Sequence, residues 1–97
     1  MAVQAHHKEI LLKIIHANIP NCKVWLFGSR ARDTEGRGSD IDLALDCGIQ
    51  IPLSTIIDMR LAIQDTTLPM EVDLVDLNTV SEEFKKEVLK EGILWTS

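Results

Sequence analysis

The stretch Val24–Asp46, VWLFGSRARDTEGRGSDIDLALD, constrains the chain more than any other. Its two short apolar runs, Val24 to Phe27 and Ile41 to Leu45, have the length and residue types of strands. The first run stops at Gly28-Ser29; the second is preceded by Asp40 and interrupted by Asp42. Side chains alternate faces along a strand, so Asp40, Asp42 and Ala44 share one face and Ile41, Leu43 and Leu45 take the other. Two carboxylates held together against an apolar backing raise each other's pKa and weaken the fold unless a positive group sits between them. The pair therefore points to a bound cation, not to a structural need.

Asp-x-Asp supplies hard oxygen ligands of the kind Mg²⁺ prefers, and that ion takes its remaining ligands from water and substrate phosphates. A seat for phosphates lies just upstream. Gly28 allows a sharp turn and close backbone approach, Ser29 adds a hydroxyl, and a helix beginning at Ser29 to Arg32 would present free N–H groups to an anion. Arg30, Arg32 and Arg37 form a local basic cluster in an otherwise acidic chain. For Arg37 the solvated-turn reading stays open beside the functional one, because Asp33 to Ser39 is a polar loop with two glycines.

The rest of the chain supplies a frame. Ile10, Leu11, Ile14 and Ile15 form an apolar stripe that predicts a helix over residues 5 to 18, ended by Pro20. Strand Lys23 to Phe27 is apolar on both faces, so the sheet is covered at least partly on both sides. Pro52 suits the first position of a second helix, with apolar residues from Leu53 to Ile63 and an end near Asp65 to Thr67. Met70 to Leu77 reads as a third strand. Its Asp73 falls between Val72 and Leu74, where an unpartnered buried carboxylate costs several kcal/mol, a cost removed if Asp73 joins the cation site. Glu71 and Asp76, nearer the strand ends, read as solvated. A last helix has its N-cap within Asn78 to Ser81 and stops at Gly92; Ile93 to Trp95 then offers a final edge strand. The fold class expected is α/β of the α+β kind: a small mixed β-sheet of three to four strands flanked by helices.

Length and charge exclude much. Ninety-seven residues make one domain, 1–97, with a single small core. A formal net charge of −5 argues against general nucleic-acid binding, which needs a basic face to replace phosphate counterions. No apolar run approaches the roughly 20 residues that cross a bilayer, and MAVQAHHKE lacks the form of a signal peptide, so the expectation is a cytoplasmic protein without membrane contact. Cys22 and Cys47 are expected as reduced, buried thiols. His6, His7 and His16 read as helix-face residues.

Gly28-Ser29, ten residues, then Asp40-Ile41-Asp42-Leu43 resembles the signature of the polymerase-beta-like nucleotidyltransferase superfamily. GSRARDTEGRGSDIDLAL, VDLVDL and the ending KEVLKEGILW resemble more closely the minimal nucleotidyltransferases, small proteins often paired with a HEPN-domain protein in toxin–antitoxin modules. The resemblance implies two Mg²⁺ ions held by Asp40, Asp42 and Asp73, with ATP as nucleoside triphosphate substrate. It gives Gly28 and Ser29 to the phosphates, with Arg30 and Arg32 as further phosphate contacts, and gives Asp73 the deprotonation of an acceptor hydroxyl. The implied acceptor is a HEPN ribonuclease toxin modified with AMP on a tyrosine. An exposed Trp95 or the apolar rim of the last helix would serve that contact. Two alternatives stay open: an antitoxin that inhibits by binding alone, and a transferase acting on a small molecule in a pocket between two copies of a homo-oligomer.

Overall fold

The computed structural model describes residues 3–28 and 40–96. The element order is α1 (Ala5–Asn18), β1 (Lys23–Phe27), β2 (Ile41–Asp46), α2 (Leu53–Gln64), β3 (Val72–Asp76), α3 (Glu82–Glu91) and β4 (Ile93–Leu94). The strands form one mixed sheet in the order β3-β2-β1-β4. β1 runs antiparallel to both β2 and β4, whereas β2 and β3 are parallel and joined through α2. The expected fold class and the α1 and β1 boundaries agree with this architecture.

Strand alternation divides the core into two layers. Val24 and Leu26 of β1, with Ile41, Leu43 and Leu45 of β2, face the larger cluster, closed by Leu11 and Ile15 of α1 and Met59 of α2. All of these side chains are 0–1% exposed, and each contributes about 1.5–3 kcal/mol on leaving water. Trp25, Phe27 and Ala44 look the other way and pack beneath Phe84 and Val88 of α3. The sheet is thus covered on both faces, which is why β1 carries no polar face.

Helix ends follow local chemistry. Ser81 caps α3, its Oγ accepting from the Phe84 N–H at 3.2 Å, and Glu82 and Glu83 occupy the first turn where the helix dipole favours them. Gly92 ends α3 as expected, but at φ −74° it is not a left-handed cap. A Cβ there would run into the Val88 carbonyl oxygen and lie 3.2 Å from that of Leu26, so the missing side chain lets the helix end approach β1. Pro52 is the N-cap of α2 and not its first helical residue.

Three expectations are corrected. Cys22 and Cys47 form a disulfide with a Cα–Cα distance of 4.3 Å. The register pairs Lys23 with Asp46, so the residues just beyond that end of the ladder face one another. Asp76 is 8% exposed, not solvated. Its carboxylate accepts from the N–H of Ile51 at 2.7 Å and of Asn78 at 2.9 Å, bonds that compensate its burial and tie the entry to α2 onto β3. Trp95 is half-buried against the larger core, not exposed, with the Lys8 ammonium 5.6 Å from its ring centroid and its backbone N–H donating to the Val24 carbonyl at 2.8 Å. No helix among the described residues is long and apolar enough to cross a membrane.

Candidate active site

The topology brings three parts of the sequence to one end of the sheet. β1 ends there, β2 and β3 begin there, and the disulfide lies at the opposite end. Asp42 is the cross-strand partner of Phe27 and, on its other side, of Asp73. Directly paired residues project to the same face, so Asp42 and Asp73 stand side by side on strands about 4.8 Å apart. That face is the one beneath α3.

Gly28 follows at once. Its φ of +76° is left-handed, and a Cβ built on it would collide with Asp42 Oδ2. The Asp42 carboxylate therefore lies against the Gly28 backbone, and two separate reasons, conformation and close approach, require glycine. Phe84 of α3 holds the preceding residue, meeting the Phe27 ring edge-on at 5.6 Å and 88°. No local signal in the sequence pairs Phe84 with Phe27.

Asp42 is half-buried, and its carboxyl is pushed above the ordinary carboxylate range, first by desolvation, then by the charges of Asp73 and Asp40. Asp40 and Asp73 thus both lie near enough to act on Asp42. Two details differ from expectation. Asp40 lies one residue before β2 and is exposed; the adjoining Ile41 N–H anchors it by donating to the Glu71 carbonyl at 2.9 Å. Asp73 is also exposed, so the burial cost foreseen for it does not arise: β3 is the outermost strand and that face is open there. Glu71 is exposed, as expected.

Among the described residues no three acidic, histidine or cysteine side chains converge into a ready-made cation cage. What the fold sets in place is the Asp42–Asp73 pair with Asp40 at its rim. The donors are all carboxylate oxygens, hard ligands of the kind Mg²⁺ prefers. Ser29, Arg30, Arg32 and Arg37 lie outside the described residues. A recess of about 190 Å³ opens beside Gly28, lined by Phe27, Phe84, Glu87, Val88 and Glu91. A larger hollow of about 310 Å³ lies by the disulfide, away from the carboxylates.

Residues 9–97 match the model of the family described as polymerase beta, nucleotidyltransferase. The chain belongs to the polymerase-beta nucleotidyltransferase family. It is 33% identical over 92 residues to the protein adenylyltransferase MntA of Shewanella oneidensis, covering 93% of this chain and 65% of that protein. A solved toxin–antitoxin structure with AMP-PNP superposes with a TM-score of 0.78 at 28% identity, covering 93% of this chain and 73% of the other. The structure of the tri-AMPylated Shewanella oneidensis HEPN toxin in complex with its MNT antitoxin gives a TM-score of 0.74 at 25% identity, covering 98% and 74%. In this chain the fold gathers Gly28, Asp40, Asp42 and Asp73 at one end of the sheet.

Proposed function

We propose that the chain transfers AMP from ATP to a hydroxyl of a HEPN-domain toxin and acts as its antitoxin in the cytoplasm. The observation that carries this reading is the registered Asp42–Asp73 pair, with the Asp42 carboxylate against Gly28. The names of its relatives supply the reaction class and the partner: protein adenylyltransferase, and an AMPylated HEPN toxin bound to an MNT antitoxin.

In the reaction the acceptor oxygen bonds to the α-phosphorus of ATP as the bond from that phosphorus to the bridging oxygen of pyrophosphate breaks. The acceptor gains AMP, pyrophosphate leaves with the bond's electron pair, and the hydroxyl proton is released. Asp40, Asp42 and Asp73 would hold two Mg²⁺ ions, which when bound clamp and neutralise the attacking and leaving oxygens. Asp73, the most accessible of the strand-borne acids, takes the hydroxyl proton. Gly28 brings backbone within reach of the β- and γ-phosphates, with Ser29, Arg30 and Arg32 following it in sequence. Asp42, half-buried and crowded by like charge, gains most when cations arrive.

The test is incubation with Mg²⁺, α-labelled ATP and the HEPN partner, beside the Asp40→Asn, Asp42→Asn double variant. Label on the HEPN protein with the native chain and none with the variant is the expected result. Absence of label while the two proteins still co-purify would make this an antitoxin that works by occupancy alone.

A further inference from the structure

Asp73, which this reading makes the base, stands on β3, the strand at one edge of the sheet. The parallel ladder fixes which groups are free. Ile41 N–H donates to the Glu71 carbonyl and Leu77 N–H to the Leu45 carbonyl, both at 2.9 Å, with Ile41 opposite Val72. Odd-numbered residues of β3 therefore bond to β2, and Val72, Leu74 and Asp76 turn their N–H and C=O groups outward. Two outward carbonyls are taken: that of Leu74 by Arg60 Nη2 at 3.5 Å, and that of Asp76 by the Thr79 N–H and hydroxyl at 3.1 and 2.9 Å. The Val72 N–H and C=O and the Leu74 N–H remain, and no described residue pairs with them. These are the groups on either side of Asp73.

From this juxtaposition we infer that the acceptor enters as an extended segment that adds itself to the outer edge of β3, placing its hydroxyl residue opposite Asp73. The inference rests on the protein-AMPylation reading and names how that substrate is presented. In antiparallel pairing, the added residue facing Val72 exchanges both of its backbone bonds with it. The next residue then faces Asp73 in a non-hydrogen-bonded pair, with Cα atoms about 4.5 Å apart and its side chain on the face of Asp73 and Asp42. Backbone pairing supplies affinity without demanding a side-chain pocket, as strand addition does generally. Glu71 and Asp73 are exposed beside the open groups, so the segment carries Lys or Arg next to its Tyr, Ser or Thr.

Val72→Pro tests this directly, because proline on an edge strand removes an outward N–H and spares the inner ladder. Transfer to the HEPN partner should show an acceptor KM raised about tenfold, with kcat and the ATP-induced rise in Tm retained. Val72→Ala, which keeps the N–H, should behave as the native chain. Independently of any variant, amide exchange at Val72 and Leu74 should slow when the native chain binds the HEPN partner. An unchanged acceptor KM in Val72→Pro, or unchanged exchange at both amides in the complex, would overturn strand addition and leave the transferase reading standing. No label on the partner from the native chain would overturn that reading and strand addition with it.

Discussion

Replacing Gly28 by alanine isolates the contact on which the site is built. The methyl group meets two obstacles. A left-handed φ of +76° costs an L-residue about 1–2 kcal/mol, and the Cβ must displace the Asp42 carboxylate from a packed position, an overpacking cost of about 1–3 kcal/mol. Gly28→Ala should therefore lose about 2–5 kcal/mol, and at roughly 4–8 °C per kcal/mol for a domain of this size the fall in Tm exceeds about 8 °C. The informative measurement repeats the substitution in an Asp42→Ala background, where the obstructing carboxylate is gone and only the backbone strain remains. There the loss should shrink to about 1–2 kcal/mol, giving a coupling of about 1–3 kcal/mol between the two positions. Denaturant or thermal melts of the four proteins in metal-free buffer give the cycle. Additive losses would show that the Asp42 carboxylate does not rest on Gly28, and the construction of the site from that contact would fail.

The raised pKa of Asp42 fixes the sign of a pH effect. Because the folded state holds this proton more tightly than the unfolded chain, its contribution to stability is fully present below the unfolded value of 3.8 and is lost as pH climbs through the raised folded value. The difference in stability between Asp42→Asn and the native chain should therefore grow with pH over that interval, then level off at up to about 1 kcal/mol, as for other solvent-screened charge pairs. Millimolar Mg²⁺ should raise the native Tm and not that of the variant; an Asn variant less stable than the native chain at pH 7 without metal would contradict the electrostatics. The Cys22–Cys47 disulfide closes the hairpin that carries Gly28, Asp40 and Asp42, with a sequence separation of 25. Loop-closure entropy for that span is about 3.5 kcal/mol, so reductant should lower the native Tm by about 10 °C or more and leave that of Cys22→Ser, Cys47→Ser unchanged. Equal Tm values for the native chain with and without reductant would remove the bond from the account.

Much of this protein was legible in one dimension because its information is local. Periodicity gave α1 and β1 at their observed limits, and the capping residues within Asn78 to Ser81 bracketed the start of α3. Asp40 and Asp42 stood out because a strand has no structural use for adjacent like charges, and Gly28 because glycine before a polar turn signals unusual backbone. What failed depended on partners distant in sequence. Asp76 looked solvated because its position near a strand end says nothing of the Ile51 N–H that it accepts from 25 residues away. Cys22 and Cys47 looked like separate thiols until the β1–β2 register set them opposite one another.

The sequence by itself determined which residues carry charge, which faces are apolar and where the chain must turn, since these follow from side-chain chemistry and the fixed periods of helix and strand. Only tertiary structure decided which acids meet. Strand order put β2 between β1 and β3, so that a parallel register delivered Asp73 to Asp42 from 31 residues away, while the antiparallel register laid Gly28 against the same carboxylate. It also left β3 at the edge, making Asp73 accessible and leaving backbone groups beside it without a partner among the described residues. Pairing order is a property of how the whole core closes, and no local stretch of this chain contains it.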